Sequence, residues 1–273
     1  MEERTYQAPA QFGQPSDYFP QPQPIDPDHP RWGPGAGLGA WVISIVAPLV
    51  LGLVVLIPYV MMQQKATGRP PTQEEMMASS WVAIATLIAT VGGQLIAMLA
   101  CWMIVTGLRK QPFFESLGWH WGGLDIPSRI ALVIGVVLVM FGIELALSRL
   151  LPNSNNTQFD QLLRVSATVR LLVAAMAVLT APIVEEVVYR GVLYSGLRKK
   201  IGISASVIAV TLLFAAVHVP QYWGAWGSLT GLTILSLTLT VIRARSKSIL
   251  PCVAVHLAFN SVGAVFIVLS SGQ

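Results

Sequence analysis

Four polar side chains set in apolar sequence carry the types needed for hydrolysis: Glu185, His218, His256 and Asn260. Three short stretches hold them. Residues 181–190 read APIVEEVVYR, 214–218 read FAAVH, and 256–260 read HLAFN. Glu186 and Arg190 are four apart, so on a helix they share a face and can neutralise each other. Glu185 is turned about 100° away from Glu186 and keeps no obvious local partner. A carboxylate so placed in a low-dielectric site suits general-base work. The plain alternative is that both Glu residues only pack with Arg190, although one would then suffice. Phe214 and His218 share a face, as do His256 and Asn260. A lone His or a His–Asn pair can simply join helices. Two His at matching depth change that balance toward donors aimed at one point.

These residues need spanning helices to position them. The chain has 273 residues, 54% of them apolar and 11% charged, far below the quarter or so usual in soluble domains. Seven apolar segments can be marked, at 38–60, 80–106, 127–150, 169–198, 204–219, 227–242 and 249–269. A span needs about 20 apolar residues. The pattern predicts an all-α, polytopic transmembrane bundle of about seven spans, with room for an eighth. The fourth segment is too long for one straight span and should kink at Pro182. The joint from Pro220 to Gly227 should dip into the membrane. Glu185, His218 and His256 lie roughly 21, 22 and 13 Å from their segment ends at 1.5 Å per residue. All three therefore fall in the bilayer core, where an ionisable residue is a functional candidate by default. Glu144, near the outer end of the third segment, is either a supporting partner or a snorkelling acid.

Three parts are expected: a disordered, Pro-rich tail over 1–37, two N-terminal transmembrane helices over 38–106, and a catalytic unit over 107–273. Eight prolines fall within residues 1–34, and no apolar stretch follows the first methionine, so no signal peptide is expected. Basic residues outside Arg190 divide 11 against 5 between the two sides, which predicts a cytoplasmic N-terminus and a plasma or inner membrane location. No basic patch with interleaved aromatics appears, so nucleic acid is not an expected partner. Cys101 and Cys252 lie in apolar runs and read as buried hydrophobes. Asn155-Asn156-Thr157 fits a glycosylation sequon in an outer loop.

The three motifs together, Glu-Glu-x-x-x-Arg, Phe-x-x-x-His and His-x-x-x-Asn in that order on apolar helices, resemble the CPBP family over about residues 110–270. That family groups CAAX prenyl proteases of the Ras-converting type with bacteriocin-processing, Abi-like proteins. The resemblance implies an intramembrane endopeptidase acting on a C-terminal or membrane-tethered peptide. It implies that Glu185 activates water with help from His218, that His256 and Asn260 stabilise the oxyanion, and that Glu186, Arg190 and Phe214 support them. The family's metalloprotease label offers zinc on Glu185, His218 and His256 as the alternative, but no His-Glu-x-x-His helix is present. A site without metal is therefore favoured. Competing readings are a proton-coupled transporter, which lacks the expected inverted repeat, and a non-proteolytic immunity or scaffold protein.

Overall fold

The structure is a computed structural model that describes residues 25–152, 154 and 156–269. The tail expected over residues 1–24 and the sequon residue Asn155 lie outside the described residues. Among the described residues, eleven α-helices and one π-helical stretch occur in the order α1 (Pro34–Thr67), α2 (Gln73–Ala78), α3 (Ser80–Thr106), α4 (Phe113–Ser116), α5 (Ile126–Leu150), α6 (Gln158–Arg164), α7 (Ala167–Leu179), α8 (Ala181–Glu186), the π-helix (Val187–Leu193), α9 (Tyr194–His218), α10 (Trp226–Ser246) and α11 (Leu250–Leu269). The expected all-α transmembrane bundle is what forms.

Among the described residues, six helical runs are long and apolar enough to cross a membrane. The fourth, Ala167–His218, contains 52 residues. At 1.5 Å each it would extend roughly 78 Å, far beyond a bilayer core of about 30 Å. It folds instead. Gly202 leaves the helix at φ 77° and ψ 178°, a conformation open to glycine and strained for other residues. Beyond it the second arm of α9 runs back along the first, so that Phe214 meets Tyr189 edge to face at 5.0 Å. This return supplies the seventh of the expected spans. The kink assigned to Pro182 is also real. The proline sits in the first turn of α8, after α7 has ended at Thr180, where a missing N–H costs nothing.

Side chains on α1 and α5 such as Leu53, Val54 and Leu138 are exposed, as lipid-facing helices require. Inward, a core gathers Ala97 and Cys101 of α3, Val187, Val192 and Leu193 of the π-helix, and Val210 and Phe214 of α9. A second core joins Met140 of α5, Leu235 and Leu239 of α10, and Cys252 and Val255 of α11. Both cysteines are buried and free, as their apolar surroundings suggest.

The tail reading needs correction at its inner end. Composition placed residues up to 37 in a disordered segment, but helix α1 starts at Pro34 and the preceding residues are packed. Asp28 is buried between Arg243 and Arg198. The Trp32 indole donates to the Val192 carbonyl at 3.0 Å, and Lys199 Nζ donates to the Pro30 carbonyl at 3.0 Å. Proline content alone could not reveal these partners, which lie more than 150 residues away. The same contacts put the segment at one end of the bundle with the Arg198–Lys200 and Arg243–Lys247 clusters. Arg243 is fully buried.

Candidate active site

The site is built where α8 passes into the π-helix. A π-turn adds one residue to the helical repeat, and such bulges frequently lie at functional sites. Glu186, the last residue of α8, and Arg190 within the π-helix still pair, with Arg190 Nη1 3.0 Å from Glu186 Oε1. Both are fully buried. Three more guanidinium hydrogens are also used. Arg190 Nη2 donates to the Ser236 carbonyl and hydroxyl at 3.0 and 2.9 Å, and Nε donates to Thr240 Oγ1 at 3.2 Å. The guanidinium lies 4.9 Å from the Phe214 ring centre. A buried ion pair needs such additional hydrogen bonds, and α10 supplies them on the arginine side. Sequence reasoning missed Ser236 and Thr240. Their four-residue spacing on α10 was the available signal.

Glu186 also serves a second partner. Its Oε1 receives His256 Nδ1 at 2.8 Å, which directs His256 Nε2 toward Glu185 Oε2, 3.8 Å away. A carboxylate on one ring nitrogen orients the imidazole and fixes which atom faces the reacting group. Glu185 is turned from Glu186 as expected and is partly exposed. It lines a cavity of about 790 Å³ together with His218. His218 Nδ1 lies 2.8 Å from the Phe214 carbonyl. A carbonyl only accepts, so Nδ1 carries the proton and the neutral ring keeps a lone pair on Nε2. Phe214 stacks on His218 at 4.6 Å and meets His256 edge to face at 6.4 Å. One phenyl ring thus separates and steadies the two imidazoles.

The four expected residues are therefore not grouped as one ring of donors. Glu185 and His218 share the cavity, and His256 approaches Glu185 from the Glu186 side. Asn260 points elsewhere: its Nδ2 donates to the Ala177 carbonyl of α7 at 2.9 Å. The shared helix face of His256 and Asn260 did not disclose that α7 would claim the amide. Glu144 rests its carboxylate against Gly231 of α10, in place of a role in this cluster. Among the described residues no three of His, Cys, Asp and Glu come together as a metal-binding group.

A chamber of about 670 Å³ adjoins the cavity, lined by Met76, Met77, Leu87, Phe159 and Met176. The two spaces share Thr86, Thr90, Gln158 and Gln221 along their walls.

The helical membrane bundle holds its Glu–His cluster beside a cavity of about 790 Å³. Residues 167–262 match the family described as Rce1-like, Type II CAAX prenyl endopeptidase. The match runs from α7 into α11, covers all the motif residues, and agrees with the resemblance drawn from them. Comparison with curated proteins and with solved structures gave no match. The chain is an integral membrane protein with a CAAX-endopeptidase-like segment, and α1 and α3 lie outside the matched part.

Proposed function

We propose that this protein is an intramembrane endopeptidase that hydrolyses a peptide bond in a membrane-tethered or C-terminal peptide, with Glu185 as general base. The observation that carries this reading is the shared cavity: Glu185 and His218, brought from α8 and α9, both open onto it. Water held between them loses a proton to Glu185 as its oxygen attacks the scissile carbonyl. The Nε2 lone pair of His218 orients that water. His256, aimed by Glu186 and carrying a proton on each ring nitrogen, donates from Nε2 to the oxyanion from the other side of Glu185. Collapse of the intermediate breaks the C–N bond, and the departing amine takes the proton back from Glu185. Asn260 joins as a second oxyanion donor by exchanging its bond to the Ala177 carbonyl for one to the substrate, so its loss should cost less than loss of His256. The steps use only side chains of this chain and call on no metal ion. The N-terminus is assigned to the cytoplasmic face of a plasma or inner membrane on the distribution of basic loop residues.

The test is cleavage by purified protein in detergent, using lipidated quenched-fluorescent peptide libraries. Wild type should cleave, and Glu185→Ala should lower turnover by at least about 10³ while keeping its unfolding temperature. Equal cleavage by the two proteins removes Glu185 from the mechanism. Loss of activity on chelation with recovery on added zinc would overturn the metal-free route.

A further inference from the structure

Opposite Glu185 and His218, the cavity wall comes from α1 and α3, the helices that the family match leaves out. Most of that wall is apolar or small, with Ile45, Pro48, Leu49 and Ala97. Its Ser44, Thr86 and Thr90 hydroxyls donate to carbonyls of their own helices, a bond that Gln94 of α3 lacks. Gln94 lines the cavity, its Oε1 is buried with no hydrogen-bond partner, and among the described residues its carboxamide has no other polar contact. A buried amide oxygen left unpaired costs about 1–3 kcal/mol. A Leu there would fill the same space without that cost, so the amide suits a partner that enters the cavity.

The packing around Gln94 fixes its place. A Cβ on Gly93 would lie 2.5 Å from both Cδ and N of Pro48. Only glycine lets α3 touch the proline ring of α1 at this level, and Gln94 is the next residue. Pro48 stands inside α1 and has no N–H to give the carbonyl of Ser44, four residues earlier. Ser44 lines the same cavity. One helix thus brings a carboxamide, with a donor and an acceptor, and its neighbour brings a backbone carbonyl released from its helical bond. These are the complements of an extended peptide main chain, which presents one donor and one acceptor per unit.

We propose that Gln94, assisted by the Ser44 carbonyl, binds the main chain of the peptide substrate and holds its scissile unit against Glu185 and His218. The N-terminal helix pair is then the substrate-binding half of the site. This inference rests on the endopeptidase reading for the direction of the peptide, and its test can fail separately.

The experiment uses the full chain bearing Glu185→Ala in nanodiscs, with a myristoylated dodecapeptide carrying photo-leucine at alternate positions. Crosslinks should map to Trp41–Leu49 of α1 and Gly93–Ala97 of α3. N-methylation of the probe, scanned one peptide unit at a time, should weaken binding about tenfold at one position, the value of roughly one hydrogen bond. In the background that also carries Gln94→Met, that penalty should vanish, a coupling that a merely structural role would not produce. Crosslinks elsewhere, no saturable crosslinking, or an N-methyl penalty unchanged by Gln94→Met would each overturn the proposal. If Gln94→Met does not fold, the crosslink map and the N-methyl scan on the Glu185→Ala protein decide it. Failure of wild type to cleave any peptide would sink the endopeptidase reading while leaving the binding result to stand or fall by itself.

Discussion

Arg190 and Arg243 are both fully buried, and each makes four hydrogen bonds, yet they were assembled in opposite ways. Arg190 finds its acid one helical turn away, at Glu186. Arg243 finds Asp28, 215 residues distant, at 2.9 Å, and adds Ser195 Oγ at 2.9 Å and the Pro27 carbonyl at 3.1 Å. The two are joined, because Arg243 Nε donates to the Arg190 carbonyl at 3.2 Å. A chain of contacts therefore runs from Asp28 through Arg243 and the π-helix to Glu186 and His256. The first arginine sets the chemistry of the site. The second ties the segment before α1 to the helix that carries it.

The largest effect should follow from breaking the inner pair. Arg190→Met strands the Glu186 carboxylate in a dry interior, at a cost of about 3–5 kcal/mol. Thermal unfolding in detergent should show a large drop, and cleavage should be lost. Glu186→Gln combined with Arg190→Met should recover most of the stability, since no lone charge remains. Activity should stay low, because His256 then lacks the carboxylate that aims it. Full recovery of activity in the double variant would break the link drawn between Glu186 and His256.

Breaking the outer pair should cost less. Asp28→Asn leaves Arg243 with Ser195 and the Pro27 carbonyl, so about 1.5–3 kcal/mol is expected, the range for a hydrogen bond to a charged group. The loss should be local to the strap over residues 25–33. Limited trypsin digestion should then cut after Arg31, a bond that the wild-type packing of Trp32 against Val192 protects. If Asp28→Asn leaves that bond resistant and unfolds with Arg190→Met, the two arginines belong to one cooperative unit and the contrast between them fails.

The same contrast explains what the sequence could disclose. Apolar run length marked the spans, and four-residue spacings marked Glu186–Arg190 and Phe214–His218, because these relations are local and carried by helical periodicity. Asp28 escaped notice because an acid among prolines has the composition of a loop, and nothing nearby in sequence points to Arg243. Asn260 was paired with His256 by spacing, yet the helix it answers to is α7, whose Ala177 carbonyl offers no side-chain signal. Gln94 sits in a run so apolar that its amide reads as incidental until α1 and α8 close around it. Polar residues whose partners lie on other helices are the part of a membrane site that periodicity does not reach.

A third pair sets the lower bound of the comparison. Between α1 and α3, Arg69 grips Glu75 with two bonds of 2.6 and 2.9 Å, while Glu75 also closes a capping box with Thr72. Both side chains are about half exposed, so removing either should leave global unfolding at neutral pH nearly unchanged. Its trace should appear only in acid. The Arg69 fork, and after it the Thr72 N–H, hold the Glu75 carboxyl down to about 2 from an ordinary 4.5. A depressed carboxyl contributes stability above its unfolded value and loses it as pH falls toward the folded one. Hydrogen exchange of the α2 amides should therefore stay slow from pH 7 to about 4.5 and quicken, after correction for intrinsic rates, as pH approaches 2. In Arg69→Ala the acid-induced quickening should be smaller and complete nearer pH 4.5, because less depression is left to lose. Identical profiles in the two proteins would show that the cap, without the arginine, holds the carboxylate in its ionised form.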